Sequence, residues 1–96
     1  METLFLIYDE AFQEEITAIF EREMVVARYS RVDGVIGARM VEQEARSGYL
    51  TDRRNRMIMV VAEPLMIARL VRDLRDLQVR QGHGLRALVV PSTQVI

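Results

Sequence analysis

Cysteine is absent from the 96-residue chain. That excludes disulfides, thiolate metal sites and a cysteine nucleophile, and leaves a small chain dependent on its core or on partner subunits. Lysine is absent too: all 13 basic residues are arginine, a bias that coding preference can produce, since both cations serve on solvated surfaces. Against 14 acidic residues they leave a formal charge of −1, with no global attraction for nucleic acid or an anionic membrane. Only two prolines, with 28% charged and 50% hydrophobic residues, exclude a collagen-like or disordered chain. The longest apolar run, Met57 to Ala62, falls far short of the roughly 20 residues that span a bilayer. Glu2 follows the first Met and no basic segment precedes the short apolar stretch Leu4 to Tyr8, so no signal peptide and a cytoplasmic location are expected.

What is present reads as one domain over residues 1–96. Thr3 to Tyr8 is a brief apolar run with the character of a buried strand. Asp9 can cap a helix over Glu10 to Glu23, where Phe12, Ile16, Ile19 and Phe20 recur at helical spacing and Gln13, Glu14, Glu15, Glu21 and Arg22 lie opposite. Met24 to Val32 alternates as a second strand, and Arg56 to Ala62 is a third, apolar on both faces. Pro64 suits the first turn of a second helix, with Ile67, Leu70, Val71, Leu74 and Leu77 inside and Arg69, Arg72, Asp73, Arg75 and Asp76 outside. Gly82-His83-Gly84 breaks the chain before a fourth strand, Leu85 to Val90. The order predicts an α+β fold, a ferredoxin-like βαββαβ arrangement with an antiparallel sheet and two helices on one face. Two helices cover one face only, yet three strands are apolar on both, so a homo-oligomer is expected to bury the other.

From Asp33 to Asn55 no period survives. Gly34, Gly37 and Gly48, with Arg39, Arg46, Arg53 and Arg54, suggest a long mobile loop, and connections of that length are often functional. No Ser-His-Asp, Cys-His, Walker or paired-carboxylate constellation is spaced for chemistry, and the adjacent Glu14 and Glu15 diverge by about 100° on a helix. A non-enzyme is expected. Met57 and Met59 alternate with Ile58 and Val60 as core residues do. His83, the sole histidine, reads as a solvated loop residue, a phosphate contact or, with further ligands, part of a metal site. Gly34 and Gly37 either permit positive φ at a strand end or allow a ligand's close approach. Arg80 and Arg86 beside the glycine turn suit anion contact or surface ion pairs. Arg53, Arg54 and Arg56 form the densest cation cluster, with Asp52, Glu42 and Glu44 near enough to neutralise it.

Three segments together, in this order and spacing, carry a resemblance: Ser30-Arg31-Val32-Asp33-Gly34, Arg54 to Val61, and Gln78 to Arg86. The chain resembles the nitrogen-regulatory PII signal-transducing proteins and their PII-like relatives over its whole length. The first segment is similar to the junction of strand and T-loop, the second to the basic end of the T-loop and the following strand. In the third, Gly82-His83-Gly84 is similar to the Gly-Asp-Gly of the family's B-loop, and Leu88 to Ile96 is similar to its terminal strand. The resemblance implies a homotrimer that binds a small effector, commonly ATP or ADP, in clefts between subunits. It further implies a T-loop-like segment over 33–55 that engages a regulated enzyme or transporter, and a short B-loop-like turn over 79–84. The implied phosphate contacts are Arg80, Gly82, His83, Gly84 and Arg86, with Gly34, Gly37 and Arg39 supplied by the loop base on the neighbouring cleft wall. The physics suits these parts: glycine turns let N–H groups reach phosphate oxygens, and arginine offers them a planar fork.

The sequence also differs from the family. Val79-Arg80-Gln81 is one residue shorter than the family's Thr-Gly and Lys segment, the Lys that follows is displaced to Arg86, and His83 replaces the acidic residue. Ala38 and Arg39 stand where a Gln helps hold the metal, nucleotide and 2-oxoglutarate, and no Tyr-Arg-Gly marks the loop around Tyr49. A PII-like relative with a different effector fits better than a classical nitrogen sensor. Two other readings stay open: a trimer similar in layout to the CutA proteins, with His83 and loop carboxylates binding a divalent cation, and an adaptor trimer without ligand.

Overall fold

The computed structural model describes residues 1–23, 28–39, 50–82 and 84–96. Its elements are β1 (Glu2–Asp9), a 3-10 turn (Glu10–Phe12), α1 (Gln13–Glu23), β2 (Tyr29–Arg39), β3 (Leu50–Ala62), α2 (Pro64–Gln81) and β4 (Leu85–Pro91). The sheet order is β2-β3-β1-β4 and every pairing is antiparallel. This is the ferredoxin-like βαββαβ fold that the order of apolar segments predicts.

The register decides which residues meet the helices. Leu4 lies opposite Val60 and Val89, Leu6 opposite Ile58 and Ala87, and Tyr8 opposite Arg56 and Leu85. Directly opposed residues share a face, so this set forms the floor under α1 and α2. Leu4, Leu6, Tyr8, Ile58 and Val60 are buried there against Ile16, Ile19 and Phe20 of α1 and Ile67, Leu70, Leu74 and Leu77 of α2. Local chemistry sets the helix limits. The Asp9 carboxylate accepts from the Ala11 N–H at 2.9 Å, and Pro64 occupies the first turn of α2, where its missing N–H costs nothing. Gly82 ends α2 at φ 80° and donates its N–H to the Gln78 carbonyl at 2.6 Å. The helix therefore runs past Leu77 to the first residue that adopts the left-handed conformation without a Cβ penalty.

The other face carries Phe5 and Ile7 of β1, Met57, Met59 and Val61 of β3, Leu88 and Val90 of β4, and Val32 of β2. No described element covers it. Leu88 is 61% exposed and Val32 49%.

Two readings of the sequence change. Much of the stretch expected as loop is strand: β2 continues to Arg39 and β3 begins at Leu50, so 33–39 and 50–55 pair as a two-stranded ribbon. The register shifts between Val32 and Val35 and again between Val35 and Gly37, with Gly34 at φ 69°. Such bulges keep the ladder but break the alternation of side chains, which is why no period survives in the sequence. The centre of the expected loop, 40–49, and the start of the expected second strand, Met24 to Ala27, lie outside the described residues. Asp73, expected on the solvent side of α2, is buried. It accepts a hydrogen bond from Arg22 of α1 at 3.0 Å and another from Arg72 at 3.3 Å.

Candidate functional site

The glycine loop joins α2 to β4 at the end of the sheet where β1 stops. The Asp9 N–H donates to the Gly84 carbonyl at 3.0 Å, tying the loop to β1. Gly84 has φ 93°, and a Cβ there would run into the ring of Phe12. Both described glycines of the loop are thus required by helix termination and by packing, before any ligand is considered. His83, the centre of the expected phosphate loop and of the metal alternative, lies outside the described residues. Among the described residues no group of three His, Asp or Glu is gathered to hold a metal ion.

Arg80 lies exposed in the last turn of α2. Arg86 stands opposite Ile7 and so projects on the uncovered face of the sheet. The two cations flank the loop from different layers, and neither forms an ion pair among the described residues. The other expected contacts lie elsewhere in the chain. Gly34 is in the first bulge of β2, level with Arg56 and separated from β4 by β3 and β1, about 14 Å across three strand spacings. Gly37 pairs with Asp52 and Arg39 with Leu50, on the part of the ribbon beyond the last β1 pairing, Asp9 with Asn55. At about 3.3 Å per residue, Arg39 is about 17 Å beyond that level. Within one chain the expected residues therefore fall into two groups, 80–86 at one sheet edge and 34–39 at the other.

A third cluster was not singled out from the sequence as a unit. Arg56 occupies the helix-side position opposite Tyr8, in phase with the buried Ile58 and Val60, and its side chain is only 24% exposed. Gln13 Oε1 accepts from the Tyr8 hydroxyl at 2.6 Å and from Arg56 Nη1 at 2.9 Å. The same guanidinium lies 3.8 Å from a Glu10 oxygen and 3.5 Å from Asp33 Oδ1. Asp33 is also gripped by Arg31 through Nε at 2.9 Å and Nη2 at 3.2 Å. Burial pushes the Tyr8 phenol upward, against the opposing pull of Arg31 and Arg56. The available signal was Arg56 itself, a cation on the core-facing phase of a strand. Among the described residues its carboxylate partners are Glu10 and Asp33; Asp52, Glu42 and Glu44, the acids near enough in sequence to neutralise the cluster, have side chains outside the described residues.

Two further features lie between the helices and beside β4. Between α1 and α2, burial pushes the Asp73 carboxyl upward, but hydrogen bonding with Arg22, Glu23 and Arg72 outweighs it and holds the group below the usual carboxylate value. Between α2 and β4 runs a groove of about 420 Å³, lined by Leu6, Val71, Leu74, Leu85 and Ala87 with Arg75 and Gln78. The Gln78 Oε1 is buried without a hydrogen-bond partner among the described residues.

The antiparallel ferredoxin-like fold is shared with solved structures of PII-like proteins. Among solved structures, the chain is similar to CPII, a nitrogen regulatory PII-like protein from Thiomonas intermedia bound to ADP, AMP and bicarbonate, with 18% identity, a TM-score of 0.68, and 99% of this chain and 94% of that one covered. It is similar to a DUF3240 family protein from Shewanella baltica at 16% identity and a TM-score of 0.70, covering 97% of this chain and 90% of that one. A third likeness is to a protein of Thermus thermophilus described as PII-like and signalling, at 10% identity and a TM-score of 0.61, covering 93% and 82% of the two chains. No protein-family model matches the sequence, and no curated protein matches it significantly. No helix among the described residues is long and apolar enough to cross a membrane.

Proposed function

We propose that this chain is a PII-like regulatory protein that binds an adenine nucleotide, ATP or ADP, in clefts between the subunits of a homotrimer and signals to a partner protein through the 33–55 segment. The observation that carries the reading is the loop at 82–84 with Arg80 and Arg86 on either side, both without a carboxylate partner among the described residues. Two guanidinium groups without a carboxylate partner among the described residues suit a polyphosphate, whose oxygens accept their paired N–H donors. The fold of CPII, which binds ADP and AMP in its solved structures, supports the choice of nucleotide.

The separation of residues 80–86 from 34–39 within one chain supports a site built from two chains, one supplying the glycine loop and the next supplying the ribbon base. The uncovered apolar face supports the trimer. A face carrying Phe5, Ile7, Met57, Met59, Val61, Leu88 and Val90 is larger than the scattered apolar residues a soluble monomer ordinarily exposes. In this reading the protein is a regulator and not a catalyst, and it resides in the cytoplasm.

Calorimetric titration with ATP, ADP and AMP, with and without magnesium, tests the proposal. Saturable binding near one nucleotide per chain, lost in the Arg80→Ala/Arg86→Ala double variant, is the expected result. Absence of saturable heat with all three nucleotides overturns the nucleotide assignment.

A further inference from the structure

The glycine loop and the base of the ribbon lie on opposite sides of β1 and β3, yet one short element touches both. We infer that the 3-10 turn Glu10–Phe12 is the mechanical link between them, with Phe12 as its contact to Gly84 and Arg56 as the positioning residue that joins it to the ribbon. The proposal deepens the regulatory reading, on which it rests for the effector that would press on the loop.

On the loop side the link is close and stiff. The Phe12 ring fills the space where a Gly84 side chain would be. The Gly84 carbonyl is held by the Asp9 N–H, and the Asp9 carboxylate in turn caps the turn through the Ala11 N–H. A shift of Gly84 therefore displaces both the ring that packs on it and the backbone that caps the turn. Close-packed contacts of this kind pass displacement on instead of absorbing it.

On the ribbon side the link is a single guanidinium shared between two elements. Arg56 is held by Gln13 and Glu10 at the helix start, at 2.9 and 3.8 Å, and by Asp33 of β2 at 3.5 Å. Asp33 is itself divided between Arg56 and Arg31. When the turn carries Gln13 and Glu10 away, Arg56 loses the partners on that side and closes on Asp33. The backbone beside Asp33 is able to follow, because Gly34 sits at φ 69° in a bulge where the register already shifts. The arrangement present, with Arg56 Nε buried 3.5 Å from Asp33 and short of a hydrogen bond among the described residues, and the one closed on Asp33 would be the two states that coupling between separated sites requires.

The first test needs no nucleotide. In the 15N-labelled full chain, Gly84→Ala forces the Phe12 ring aside, and the Arg56 Nε–H resonance and amide exchange at Val32, Val35, Asn55 and Met57 report on the ribbon base. The expected result is a displaced Nε–H signal and exchange faster by about 2- to 30-fold, the span usual for coupled sites. In an Arg56→Met background the same Gly84→Ala change is expected to leave ribbon exchange unaltered, a non-additivity that independent structural damage does not produce. If Gly84→Ala fails to fold, Phe12→Leu applies a milder displacement at the same contact with the same expected readout. Ribbon signals that stay fixed while the Phe12 ring resonances move overturn the link. So does an equal Gly84→Ala effect with and without Arg56.

The second test adds ADP. Binding is expected to slow exchange at residues 84–86 in both wild type and Arg56→Met, and to alter Asn55 to Met57 in wild type alone. ADP that leaves the loop unchanged refutes the nucleotide assignment, and the mutational cycle then decides the link by itself. A ribbon response that survives in Arg56→Met refutes the link while the nucleotide assignment stands.

Discussion

Replacing Asp73 by Asn removes one charge from between the two helices and keeps the side chain's size. The carboxylate accepts from Arg22 at 3.0 Å and from Arg72 at 3.3 Å. A hydrogen bond involving a charged group contributes about 1.5–3 kcal/mol and a neutral one about 0.5–1.5, so two bonds lose about 2–3 kcal/mol before solvent is considered. The arginine side chains are 59% and 64% exposed and recover hydration readily, which reduces the net loss to about 1–2 kcal/mol. Glu23 acts in the same direction, since it lies 3.6 Å from Arg22 and 3.5 Å from Arg72 and takes up the released cations. For a chain of this length that loss lowers Tm by about 4–15 °C, measured by urea and thermal unfolding at fixed protomer concentration, because any association makes stability concentration-dependent. The pH dependence tests the cause. Asp73 is held below the usual carboxylate value, so its contribution is fully present above the unfolded value of about 3.9 and is lost as pH falls through the lower folded one. The gap between wild type and Asp73→Asn is therefore expected to close in acid. Equal stabilities at pH 7, or a gap at pH 2 as wide as at pH 7, refute the reasoning.

Leu88→Glu places a charge on the uncovered sheet face, opposite Phe5; if the proposed trimer buries that face, circular dichroism is expected to stay unchanged while sedimentation shifts from the mass of three chains to the 11.1 kDa protomer, and an assembly that persists unchanged refutes burial of this face. Tyr8→Phe deletes the 2.6 Å bond to Gln13 and is expected to cost about 1 kcal/mol at pH 7 in urea unfolding. Because burial raises the Tyr8 phenol, the wild-type advantage holds below the unfolded value of about 10 and fades as pH rises through the folded one; an advantage that grows in alkali contradicts the assignment.

The helices were legible because each repeats one pattern. Ile67, Leu70, Leu74 and Leu77 keep the helical period along α2 and are all buried. Asp73 stands three positions after Leu70, on the same face, so its burial was implied by spacing. Its partner Arg22, 51 residues away, was not, and without that partner a carboxylate at such a position reads as solvated. The ribbon was hidden for a different reason. A bulge adds a residue to one strand and interrupts the simple alternation on which sequence reading relies, so Val35 to Arg39 look patternless while their backbone pairs. The candidate site divides the same way. Arg80, Gly82 and Arg86 stay together because they are neighbours in the chain, whereas the distance of Gly34 and Arg39 from them follows from the strand order β2-β3-β1-β4. Arg56 showed itself as a charge in an apolar strand, but its meeting with Gln13 and Asp33 needed the tertiary fold.

Beyond Asn55 the ribbon pairs only with itself among the described residues, since β1 ends at Asp9 and no third described strand accompanies it. Its ladder can open without disturbing the core under the helices, and the free energy of that opening is local. The same independence bears on how the chain can change over generations. Among the described residues the buried core draws no member from this arm, so substitutions, insertions or exchanges there are judged less by whether the domain folds. A lineage can therefore retain the sheet, the helices and the glycine loop while trying new arms against new partners, so that one scaffold diversifies in what it addresses without having to be rebuilt.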